Sequence, residues 1–67
     1  MSNDLEREQL ADADRHIAQA KRQVLRQRQI VLDLVLHGQP RDEAVTLLNQ
    51  LEEGLRALER HRQLSQV

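Results

Sequence analysis

The chain has 67 residues, 26 of them apolar (39%) and 21 charged (31%), with a net charge of −1, no Cys and no aromatic residue. Disulfides are therefore excluded. One small domain is the upper limit, and a single core of this size rarely supplies more than about 3–5 kcal/mol unaided. With Phe, Tyr and Trp absent, any core is built from 12 Leu, 5 Val, 2 Ile and 6 Ala, which points to packed helices. No run approaches the ~20 apolar residues of a membrane span. The start Met1-Ser2-Asn3-Asp4 is acidic where a secretory signal is basic and then apolar. The expectation is a cytoplasmic, all-α protein without membrane partners.

In chain order, residues 1–8 read as an acidic, partly frayed N-terminus, and residues 9–66 as a single helical-hairpin domain. Apolar residues recur at Leu10, Ala13, Ile17, Ala20, Val24, Val31 and Leu34, in the three-and-four steps of a helix. A flanking row, Ala11, Ala18, Leu25 and Leu32, widens that seam. Neither Gly nor Pro interrupts residues 4–36, so one helix of ~50 Å is predicted there. Gln27 falls on the seam, where it either fixes register in coiled-coil fashion or reaches out to solvent.

The turn is predicted at 37–39. Gly38 suits the left-handed position past a helix end, and Pro40 the first turn of the next helix, with Gln39 as its N-cap. His37 is placed to cap the first helix. The second helix, about 40–64, carries Asp42 and Glu43 in its first turn and a stripe of Ala44, Leu47, Leu48, Leu51, Leu55 and Leu58. Gly54 inside it marks either a close helix approach or a weak spot.

So short a link makes the helices antiparallel and pairs residues whose numbers add to about 77. The charges fall in blocks: residues 1–14 hold five acids and one base, residues 15–28 five bases and no acid, and residues 29–67 six acids and four bases. In this register Arg26 lies near Glu52, Lys21 and Arg22 near Glu53 and Arg56, and Asp12 and Asp14 within a turn of Arg60 and Arg62.

The segment Ile30-Val31-Leu32-Asp33-Leu34-Val35-Leu36 is apolar nearly all round, more than one partner helix can cover. A homodimeric four-helix bundle is therefore expected, its core carried by Ile17, Val24, Val31, Leu34, Leu48, Leu51, Leu55 and Leu58. A different protein docking on residues 30–36 is the alternative. Catalysis finds no support: there is no Cys, Tyr or phosphate-binding loop, and both Ser residues are near the ends. The chain reads as a non-enzymatic interaction module without cofactors. His16 and His61 share one level of the hairpin with Asp12 one turn away on the face of His16, and the three could form a divalent-metal set, against the simpler reading of solvated or hydrogen-bonded histidines. Arg15, Lys21, Arg22, Arg26 and Arg28 form a basic ridge, the basis of the alternative reading as a small nucleic-acid-binding regulator. Against it stand the net charge and the absence of aromatics for base stacking.

The stretch Arg15-His16-Ile17-Ala18, Arg28-Gln29-Ile30, Gly38, Leu47-Leu48 with Leu51-Glu52 and Leu55, and His61-Arg62 resembles a family of short uncharacterised bacterial helical-hairpin proteins. The likeness spans residues 15–64. It departs at Gln39-Pro40, where those proteins often have Asp-Thr. It implies a helical hairpin and no activity. In architecture alone the chain is also similar to the ROP family of hairpin dimers, four-helix bundles that recognise paired RNA loops.

Overall fold

A computed structural model describes residues 2–65. Two helices make up the described chain: α1, Ser2–Leu36 (35 residues), and α2, Asp42–Ser65 (24 residues). They pack along one another as a hairpin with extents of 56 × 15 × 12 Å.

The turn shows why α1 stops where it does. Gly38 has φ +64°, the left-handed conformation that a Cβ penalises. With that residue in place, Gly38 N–H donates to Val35 O (3.1 Å) and Gln39 N–H to Leu34 O (2.9 Å). These two bonds are the Schellman pattern, and they satisfy carbonyls that the helix end would otherwise leave open. His37 adds a third closure, its Nδ1–H donating to Asp33 O at 2.6 Å, as a C-terminal cap should.

The start of α2 differs from expectation. Arg41 O accepts the first helical bond, from Val45 N–H (2.9 Å), so Arg41 rather than Gln39 is the N-cap residue. Pro40 lies before the helix, not in its first turn, and the link runs through residues 37–41. The reason is local. Gln39 is kept extended by the proline after it, and Pro40 and Arg41 are then used to carry the chain across to the second axis. Asp42 and Glu43 still occupy the first turn, where their charge complements the helix dipole. At the other end, α1 is helical from Ser2, so residues 2–8 continue the helix rather than standing apart from it; Met1 lies outside the described residues.

The core is thin. Among the described residues Ile17 and Val24 are the buried apolar side chains, and no side chain is fully buried. Val31, Leu34, Leu48, Leu51, Leu55 and Leu58 are half-buried along the same seam, together with Leu10, Ala13, Ala20 and Ala44. Thus all eight residues expected in an oligomer core lie on the seam where one hairpin closes on itself. Gln27 is as buried as its apolar neighbours, at 7% exposure, and its Nε2 donates to Ala44 O at 2.9 Å. Of the two readings of this residue, the structure takes the buried one. Gly54 is exposed, and a Cβ built there would meet nothing within 4 Å, so it is a weak spot and not a close approach.

Candidate functional site

Three surfaces of the hairpin carry the residues singled out from the sequence: one flank where charges cross between helices, an outer apolar row on α1, and the basic ridge.

The charged flank sets the register. Arg62 pairs with Asp14 in a two-pronged contact through Nε and a terminal nitrogen, closing the open end of the hairpin as expected. That hydrogen bond holds the Arg62 guanidinium above its ordinary, already high pKa, against desolvation and with the help of the carboxylate's charge. Further along, Arg28 Nε approaches Glu52 at 3.8 Å. The expected neighbour of Glu52 was Arg26. The difference is one of face: Arg28, seven residues before Val35, lies beside the seam, whereas Arg26 points away from it and is exposed. Lys21 lines an open cleft with Asp14, Ile17, Glu59, Arg62 and Gln63. The cleft has one apolar wall residue and is otherwise charged or polar, which gives it little to hold an organic ligand with.

The outer row flanks the seam on α1, one step further round the helix than Lys21 and Arg28. Leu25 is 62% exposed, Leu32 53% and Leu36 74%, while Val35, on the face of Arg28 beside the seam, is 44% exposed. Spacings of seven and four put Leu25, Leu32 and Leu36 on one face, continuous with the smaller Ala18 and Ala11. On the other flank Ile30 and Leu47 are also more than two-fifths exposed. Residues 30–36 thus present apolar side chains both toward α2, through half-buried Val31 and Leu34, and away from it.

All five ridge cations, Arg15, Lys21, Arg22, Arg26 and Arg28, are exposed. Arg15 is paired with Asp12 one turn earlier, and Arg28 is near Glu52. Among the described residues Lys21, Arg22 and Arg26 have no ion-pair partner. The metal set does not assemble: the described residues hold no group of three or more His, Asp or Glu placed to bind an ion. Asp12 is taken up by Arg15, a competitor one turn away that spacing arguments about His16 and His61 leave out. Nor is any helix of the described chain long and apolar enough to cross a membrane.

No known family model, curated protein or solved structure matches the chain.

Proposed function

We propose that this hairpin works as a homodimer, two copies completing a four-helix bundle, and that the dimer is a non-enzymatic protein-interaction module. The observation that carries the reading is the outer row: Leu25, Leu32 and Leu36, all more than half exposed where none of the described side chains is fully buried. Surface arithmetic supports it. The hairpin exposes 5688 Å², where a folded monomer of 7.8 kDa is expected to expose about 4,400 Å². Its radius of gyration is 15.9 Å against about 11 Å for a compact chain of this length. A compact body of twice the mass would expose about 7,300 Å², so pairing two hairpins has up to about 4,000 Å² available to bury, the scale of obligate interfaces.

Light scattering coupled to size exclusion tests this directly. The expected mass is twice 7.8 kDa, and Leu32→Asp, which alters a side chain exposed within one hairpin, is expected to halve it. A wild-type mass of 7.8 kDa at micromolar concentration would overturn the reading.

A second reading rests on Lys21, Arg22 and Arg26, the ridge cations with no carboxylate partner among the described residues: phosphates of a nucleic acid would supply the missing charge. A chain with no aromatic residue absorbs almost nothing at 260 nm. Absorbance at that wavelength co-eluting at low salt and lost at high salt would favour this reading, and Arg22→Glu with Arg26→Glu would then abolish it without altering the helical content.

A further inference from the structure

The dimer reading leaves open how the copies meet, and two features of α1 bear on that question. The first is an overhang. Arg62 is level with Asp14, and α2 ends three residues later at Ser65, so α1 before about residue 11 has no helix beside it. A lone segment this short is a marginal helix in water. It carries Asp4, Glu6 and Glu8, with Leu5 exposed at 60%. The second feature is the outer row itself, which is bordered on one side by Lys21 and Arg28 and on the other by Arg15 and Arg22. An acidic helix and a row edged with cations are complementary in charge, and a single chain carries both.

We propose that the second copy docks α1 against α1, antiparallel, with the two-fold axis close to Ala18, so that each acidic overhang lies along the other copy's basic-edged row. This rests on the dimer reading above and adds its geometry. With the axis at Ala18, Ala11 comes level with Leu25 of the other copy and Glu8 with Arg28. One like-charged pair remains, Arg15 with Lys21, and Arg15 is already matched by Asp12 in its own helix. The alternatives are electrostatically worse. A parallel pair sets the 15–28 blocks, with five bases and no acid each, side by side. An antiparallel pair centred on Leu25, the middle of the hairpin, brings Arg22 against Arg28 and leaves both overhangs in solvent. Small Ala18 at the crossing also lets the two backbones approach closely.

The chain has no Cys, so single-cysteine variants report contacts without background. Under mild oxidation Ala18→Cys is expected to form an intermolecular disulfide at least about tenfold faster than Leu25→Cys, because only residues near the axis bring their own copies within disulfide reach. Faster linkage of Leu25→Cys would place the axis at mid-hairpin, comparable linkage of both would make the pair parallel, and neither linking in a chain of dimer mass would put the interface on another face; each overturns the arrangement while leaving the dimer standing. A monomer mass for the unmodified chain would remove both. Charge exchange gives an independent check. Arg28→Glu, and separately Glu8→Lys, are each expected to weaken self-association about tenfold at low salt. Mixed, the two variants should pair with each other in preference to themselves. Random mixing would overturn the proposal.

Discussion

The two ends of the hairpin are held by different physics. At the turn, closure depends on short directional bonds: the two Schellman contacts, the His37 cap and, between two and three turns deeper into α1, the buried Gln27–Ala44 bond. At the open end the helices are joined by the exposed Asp14–Arg62 pair, beyond which α1 continues alone. Bonds of the first kind are insensitive to salt, and those of the second are screened by it. The contrast predicts a gradient of local stability, with amide exchange slow around Val24 and Gln27 and fast toward both chain ends. It also separates what folds the hairpin from what remains on its surface, since the well-fixed turn half still leaves most of the exposed large apolar side chains, Leu25, Ile30, Leu32, Val35, Leu36 and Leu47, uncovered.

The largest effect is expected from Val24→Asp. Val24 is 4% exposed, and an unpaired charge there costs more than the few kcal/mol that a core of this size supplies. Circular dichroism at 222 nm should show an unfolded chain. Leu32→Asp on the outer row, by contrast, should retain at least part of its helical signal while losing dimer mass; equal loss of helix in both variants would mean that folding and pairing are a single step. Gln27 comes next. Gln27→Ala removes a buried hydrogen bond and some packing, for about 1–2 kcal/mol. Gln27→Leu, which removes the polar group but keeps its volume, should be close to neutral in chemical denaturation. If Leu is as costly as Ala, the Ala44 bond is not what Gln27 contributes.

The two glycines sharpen the comparison, because the same substitution should act in opposite directions at them. Gly38→Ala places a Cβ in the left-handed region and is expected to cost about 1–2 kcal/mol. Gly54→Ala meets open space in a helix interior and should stabilise by about 1 kcal/mol. Thermal melts of the two variants, taken at one concentration, read both signs.

These residues also show how far the sequence could be read unaided. The seam of α1, the end of that helix at Leu36, the role of Gly38 and the Asp14–Arg62 pairing were all legible, because each follows from periodicity or from a residue with a single conformational use. The start of α2 was not. Pro40 fits both the first turn of a helix and the extended residue before one, and the choice depends on how far the link must swing to bring the second helix alongside. The Arg28–Glu52 approach was missed for a related reason. A register estimated from the turn fixes the level along the axis but not the angle around it, and Arg26 and Arg28 differ mainly in angle. Gln27 was visible as an anomaly on the seam, but its acceptor is a backbone carbonyl, a group that side-chain patterns do not display. The metal set failed by competition: Asp12 has Arg15 three residues away on its own helix, a local partner needing no tertiary geometry.

The smallest effect belongs to the open end. Replacing Arg62 with Gln removes the contact with Asp14 while keeping a side chain of similar reach. Exposed ion pairs contribute little, and that little is screened. The expected result is a slightly lower melting temperature at 10 mM salt and no difference from wild type at 0.5 M. Because the Asp14 bond raises the Arg62 pKa, its stabilisation is fully present below the ordinary arginine value and is lost only as pH climbs through the still higher folded one. Between pH 6 and 9 the difference between Arg62→Gln and wild type should therefore stay constant. A variant difference that survives 0.5 M salt would mean that Arg62 acts through its half-buried stem, packed beside Ile17 in the cleft they share, rather than through its charge. The open end would then be held by burial like the turn end, and the contrast between the two would reduce to the length of α1 left without a neighbour.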